Sequence, residues 1–339
     1  MRSVQKEKKV CLFLGFFLLV SLFCLKESLP APYYEGKVIK IIVGNEPGGG
    51  YDRMGRLLAK HLPKHIPGKP TVLVENMPGA IGMILVNHMY NVVKPDGLTI
   101  ATFNRGLPSA QLLKAEGVKF DLMKCSWIGS TTAEPTVLTL RSELPYKSLD
   151  DLRKAKEPIY LGCTGTGDSS TQFPVLLREF VQLNLKIVDY PSSSAAMLAV
   201  ERKEVHGRAG SYSSLIPFIE RGVVHPILRG RVSEPGIDNL PVDEELTTNK
   251  LGKTIMAMRS AMDKIGRPYL TSPGTPMEIM NILTDAFAKV ANDPELKQDA
   301  KKNKMTVEYS RGDECLKVLK YLFSQSDDIV KEFGKLLKF

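Results

Sequence analysis

After its first 25 residues the sequence has no apolar run long enough to cross a membrane, which takes ~20 residues, so the bulk of the chain is not membrane-spanning. Cysteine is scarce: of five, Cys11 and Cys24 fall in the N-terminal apolar run, leaving Cys125, Cys163 and Cys315. An odd number at wide spacing is no disulfide framework. Buried free thiols are expected, with a Cys125–Cys163 bridge as the alternative. There is one Trp, and the basic residues are scattered rather than striped, which argues against a nucleic-acid surface. The five histidines follow no metal-ligand spacing; His61 and His65 are four apart, but Pro63 lies between them and no H-E-x-x-H occurs. There is also no G-x-x-x-x-G-K-[ST] loop, Gly48-Gly49-Gly50 does not fit G-x-G-x-x-G, and Ser169 lacks a G-x-S-x-G elbow. The motifs of nucleotide-dependent and hydrolytic enzymes are thus missing. No catalytic residue, cofactor or metal is expected, and an enzyme stands only as an alternative.

What is present begins with export. Arg2, Lys6, Lys8 and Lys9 precede the apolar run Val10 to Leu25, the pattern of a secretory signal peptide, expected over residues 1–31 with cleavage near Ala31. A lipid anchor at Cys24 is disfavoured because Phe23 precedes it; an uncleaved anchor is the other alternative. Net charge is +9 for the whole sequence; residues 1–31 carry five Lys/Arg and two Glu, so the remainder is +6. The remainder is long enough for two domains.

Val38 to Val43 is rich in Val and Ile and reads as a buried strand. It runs into Pro47-Gly48-Gly49-Gly50, after which Asp52 stands where a helix N-cap belongs. Met54, Leu57, Leu58 and Leu62 then mark one helical face. Strand, glycine loop and helix together present bare backbone N–H groups at the positive end of a helix, a place for an anion. A second strand, Thr71 to Asn76, ends in the small-residue turn Met77 to Gly82; after a helix, Pro95-Asp96-Gly97 turns into a third strand, Leu98 to Phe103. Strands alternating with helices predict parallel pairing, and ligands in such sheets bind beyond the strands' carboxyl ends. Both glycine-rich turns lie at such ends, so they could line one crevice.

The second half repeats the device. Ser148-Leu149-Asp150-Asp151 reads as a capping box. The strand Pro158 to Cys163 runs into Thr164-Gly165-Thr166-Gly167-Asp168-Ser169-Ser170-Thr171, then a helix bearing Phe173, Leu176, Leu177, Phe180 and Val181. After the strand Leu185 to Val188, Ser192-Ser193-Ser194 opens another helix. Thr275 with Pro276, and Asp293 with Pro294, read as helix starts. Each serine taken singly is a cap; the loops taken together are donors for an anion. Charge-assisted hydrogen bonds net about 1.5–3 kcal/mol each, so several donors per carboxylate reach the ~8 kcal/mol of a micromolar ligand. Arg105 and Arg208, each following a strand, are candidates to pair a distal charge.

Gly48-Gly49-Gly50-Tyr51-Asp52 with Arg56 resembles the G-G-x-x-D-x-x-x-R opening of the solute-binding receptors of tripartite tricarboxylate transporters, the Bug family. Val74 to Gly82 is similar to that family's V-x-N-x-x-G-A-x-G, and Pro95 to Thr99 to its P-D-G-x-T. Leu149 to Leu152, Gly165-Thr166-Gly167 and Ser272 to Pro276 follow in order, so the resemblance spans roughly residues 37 to 305. It implies an α/β, two-lobed periplasmic-binding-protein fold, a mostly parallel sheet in each lobe and two crossing segments. The lobes would be 37–138 with 263–339, and 139–262. The crossings are expected near Val137 to Leu140 and Met262 to Thr271. It further implies a periplasmic receptor for a small carboxylate, with the permease subunits of the transporter as partner; a monomer is expected. An exported sensing module is the alternative. The residues expected to bind the ligand are Gly48, Gly49, Gly50, Tyr51, Asp52, Gly79, Ala80, Asn104 and Arg105 on one side. On the other are Gly165, Thr166, Gly167, Asp168, Ser169, Ser170, Ser192, Ser193, Ser194 and Ser211. Departures from the family pattern at Thr171-Gln172, Val188 to Ser193 and Gly207 to Tyr212 fall in the second lobe and leave the identity of the acid open.

Overall fold

The computed structural model describes residues 31–337; the signal peptide and Cys11 and Cys24 expectations lie outside these almost entirely. Among the described residues, eleven strands form two sheets. The first half contributes β1 (Val38–Val43), α1 (Gly50–His61), β2 (Thr71–Asn76), α2 (Met83–Asn91), β3 (Thr99–Thr102), α3 (Leu107–Leu112), β4 (Ser126–Ser130), β5 (Thr136–Arg141) and α4 (Leu149–Arg153). Next come β6 (Ile159–Cys163), α5 (Ser169–Phe180), β7 (Leu185–Asp189), α6 (Ser193–Glu201), β8 (Gly207–Ser211), α7 (Tyr212–Glu220), β9 (Val224–Arg229) and α8 (Lys250–Ala261). The chain finishes with β10 (Pro268–Thr271), α9 (Met277–Ala291), α10 (Pro294–Lys302), β11 (Ser310–Arg311), α11 (Gly312–Phe323) and α12 (Asp327–Leu336).

The first sheet has the order β11-β4-β10-β3-β1-β2 and the second β7-β6-β8-β5-β9. The expected parallel crossovers are present: β2, β1 and β3 run parallel, as do β7, β6 and β8. Strands adjoining the crossings pair antiparallel, β10 with β3 and β4, and β5 with β8 and β9, so each sheet is mixed. They arrive from the other sheet rather than through a helical crossover, which frees them from the parallel rule.

Alternation on β1 explains the layering. Ile39, Ile41 and Val43 pack with Met54 and Leu58 of α1 and Leu283 and Phe287 of α9. Ile42 faces the other way, into the cluster holding Leu85 and Val86 of α2. Both faces of the sheet are therefore covered by helices. Helix starts are mixed in outcome. Ser148 makes the capping box and Asp293 caps α10 as expected. Thr275 instead bonds the Ser272 carbonyl while Pro276 occupies the cap of α9.

The chain leaves the first sheet over residues 131–135, since Val137 to Leu140 already pair in β5, and returns over 262–267. These two crossings are bonded to each other: Glu134 N donates to the Asp263 carbonyl (2.8 Å) and Thr131 N to that of Arg267 (3.2 Å). Cys125, Cys163 and Cys315 are buried free thiols, and burial pushes the Cys163 thiol up to about 12.

Candidate functional site

The carboxyl ends of six strands, three from each sheet, converge on one cavity of about 420 Å³. Residues 44–47, 49–51, 78–81 and Asn104 line it from the first sheet; residues 164–170, 191–194, Arg208, Gly210 and Ser211 line it from the second. The two glycine turns of the first sheet do share one crevice. A Cβ on Gly44 would sit 2.8 Å from Gly82 Cα, so their backbones touch.

Of the expected residues, Gly49, Gly50, Tyr51, Gly79, Ala80, Asn104 and the whole second-sheet set line the cavity. Gly48, Asp52 and Arg105 do not. Gly48 turns the chain with φ 82°, a conformation L side chains rarely adopt. Asp52 is not the helix cap; that position is Gly49, with no side-chain cap on α1. Asp52 sits three residues into the helix instead, and its carboxylate accepts from Gly48 N (2.9 Å), Arg56 (2.9 and 3.0 Å) and Asn76 (3.0 Å). Burial alone would raise its pKa, but these partners hold it below the usual carboxylate range. The polar residues of the G-G-x-x-D-x-x-x-R and V-x-N stretches therefore brace the loop, and no side chain caps the amides at the start of α1.

Arg105 is 1% exposed and pairs with Asp263 of the return crossing (2.8 Å), with further bonds to Thr136 (2.8 Å) and Ser211 (3.0 Å). It fastens the first sheet to the crossings and orients Ser211 from behind. Its own N–H donates to the Tyr51 hydroxyl (2.9 Å), which lies deep in the cavity wall. In the second turn, Ala80 (φ 44°) and Ile81 (φ 55°) are both left-handed and both face the cavity, a strained pair held by the Gly82 N to Gly79 O bond (2.9 Å).

On the second sheet, two expected ligand groups serve mainly as caps. Asp168 caps α5 through Ser170 N (2.7 Å) and accepts from Asn104 Nδ2 (2.6 Å), a bond between the two sides of the cavity. Ser192 caps α6 through Ala195 N (3.1 Å). Among the described residues, the hydroxyls of Thr166, Ser169 and Ser194 have no protein partner; that of Ser193 is only 3.4 Å from Arg208.

Sequence reasoning missed Arg267, Asn45, Glu46, Ser214 and the apolar Ile81, Met83 and Leu215, all on the wall. Arg267 sits on the return crossing, bonded to Glu134 and Ser213 (both 2.8 Å), with its guanidinium 5.3 Å from the Tyr51 ring centroid. Nothing local in Gly266-Arg267-Pro268 marks it; only the return of the chain places it there. His61 and His65 are far from the cavity, bonded to Asp299 and Asp293.

Two α/β lobes joined by paired crossings, with a cavity of small-residue loops between them, define a two-lobed ligand-binding protein. The family model described as tripartite tricarboxylate transporter family receptor matches residues 54–335, and the chain belongs to that family. Among solved structures it is similar to the periplasmic binding protein BugD (20% identity, TM-score 0.73, covering 89% of this chain and 98% of that one). It is also similar to MatC from Rhodopseudomonas palustris with bound malate (16%, 0.69, 87% and 99%). A third is an R. palustris protein with adipate (18%, 0.71, 88% and 98%). At these identities the likeness is one of fold. Among curated proteins, none matches the chain.

Proposed function

We propose that the chain is a periplasmic receptor that binds a small organic acid in this cavity and presents it to the permease subunits of a tripartite-type transporter. The observation that carries the reading is the uncapped N-terminus of α1, lining one cavity with the second glycine turn and opposed by arginine and hydroxyl groups. Backbone amides there bind a carboxylate without a side chain of their own. The bound malate and adipate in two structures of the same fold support an acid of this size. The lobes are bounded by the 131–135 and 262–267 crossings, and closure about them brings the 164–170 and 192–194 loops onto the ligand. Differential contact in the closed state is what would shift the population. The binding residues are those expected from the sequence, with Arg208 kept as the candidate to pair a distal charge, less Gly48, Asp52 and Arg105 and with Arg267 added. The ligand is bound unchanged, no catalytic step being assigned to any residue. Isothermal calorimetry with mono-, di- and tricarboxylates tests the reading: at least one acid binds in the micromolar range or tighter. A protein that binds only sugars or metal ions overturns it.

A further inference from the structure

Arg208 lies on β8, in the middle of the second sheet, and is 5% exposed while lining the cavity. Its guanidinium bonds only to neutral atoms: the Ala209 carbonyl (3.2 Å), the Ser193 carbonyl (2.6 Å) and the Ser193 hydroxyl (3.4 Å). The other buried arginines of the molecule are treated differently. Arg105 and Arg259 share Asp263, and Arg267 has Glu134. Arg208 makes no ion pair among the described residues. The carboxylate with the clearest influence on it, Asp168, is committed to Asn104 and to the start of α5. The positive end of α6 also begins at Ser193, directly against the guanidinium. A buried cation beside a helix N-terminus is electrostatically costly without an anion. Burial accordingly lowers its pKa, with Asp168 only opposing that trend. Gly210, on the same face of the strand, leaves the guanidinium room: a Cβ there would come within 3.3 Å of Nη2.

Resting on the carboxylate reading above, we infer that Arg208 is the specificity-determining residue of the second lobe. It pairs directly with an anionic group of the ligand other than the carboxylate held by the α1 amides. The two stations belong to opposite lobes, so one ligand spanning them meets both only when it carries two negative groups. A planar fork suits a carboxylate's two oxygens, which fixes orientation as well as charge. The site would then reject a molecule of the same shape whose second group is neutral.

The test compares C4 to C6 straight-chain diacids (succinate, glutarate, adipate) with their monoamides, by calorimetry on the full mature chain. The wild type is expected to bind at least one diacid ten-fold or more tighter than its monoamide. Arg208→Gln is expected to lose that preference while keeping its affinity for the monoamide, and Arg208→Lys to restore part of it. Diacid and monoamide bound equally by the wild type would overturn the inference and leave the function standing. So would Arg208→Gln weakening both ligands alike, which would place Arg208 on the first carboxylate. No binding of any acid, including mono- and tricarboxylates, would instead overturn the functional reading. The wild-type comparison needs no variant, so it decides even where Arg208→Gln fails to fold.

Discussion

A Cβ built on Gly49 meets nothing closer than the Glu46 carbonyl oxygen at 3.7 Å, yet Gly49 is the cap position of the uncapped helix α1 and lines the cavity. Gly49→Val should therefore fold normally and lose acid binding by about 100-fold or more, about 2.7 kcal/mol, because its branches fill the approach to the amides. Its neighbour behaves in the opposite way. A Cβ on Gly50 would lie 2.7 Å from both Arg267 Nη1 and Ser214 Oγ, so Gly50→Val should lower the melting temperature as well as the affinity. Calorimetry paired with thermal unfolding separates the two. A Gly49→Val protein that binds as the wild type does would remove α1 from the site. Asp52→Ala takes away an acceptor shared by Gly48, Arg56 and Asn76; it should cost about 1–2 kcal/mol by urea unfolding and weaken binding only through a loosened loop.

At the level of elements, the crossings carry a buried charged network that sequence spacing could not reveal. Arg105 from the β3 end, Arg259 of α8, Asp263 of the return and Thr136 at the start of β5 are bonded together with almost no solvent access. Arg105→Met leaves Arg259 as the one counter-ion of Asp263, beside the Thr136 hydroxyl, and Ser211 without its donor. Breaking one partner of a buried pair costs about 3–5 kcal/mol, and the surviving Arg259 puts this variant at the lower end. Denaturant unfolding measures that loss; a cost below 1 kcal/mol would mean the network does not hold the lobes in register.

For the whole molecule, ligand and proton act on stability in ways that can be read independently. An acid bound only by the folded chain adds about 2.7 kcal/mol at 100 times its Kd, so the melting temperature should climb with acid concentration. Protons act through Glu234 and Asp243. Burial raises both carboxyls to about 7; for Glu234 the neighbouring Glu134 adds to the rise and Thr306 and Arg267 oppose it, while for Asp243 Arg259 opposes it. A folded pKa above the unfolded one, near 4 for such groups, means the stabilisation is complete below about pH 4 and is lost as pH rises through 7. The ligand-free melting temperature should therefore fall between pH 6.5 and pH 8, above the range in which His206 and His225, whose pKa burial lowers, push stability the other way, and Glu234→Gln should flatten part of that fall. A stability that rises over the same range would refute the assignment.

The sequence by itself determined what is local: the strand–glycine–helix units at Gly48 to Tyr51 and Met77 to Gly82, the caps at Ser148, Ser192 and Asp293, and the ordered motifs that point to the family. These follow from hydrophobic period and backbone conformation over a few residues, and they were legible for that reason. Tertiary structure decided which groups face the cavity. Asp52 and Arg105 look like binding residues in one dimension, and both are consumed by partners distant in the chain or folded back onto the loop. Arg267 looks like nothing and reaches the wall because the chain returns past Glu134. A charged side chain's role depends on whether its counter-ion is supplied by the protein or left to the ligand, and that is settled only when segments 158 residues apart, such as Arg105 and Asp263, are brought into contact.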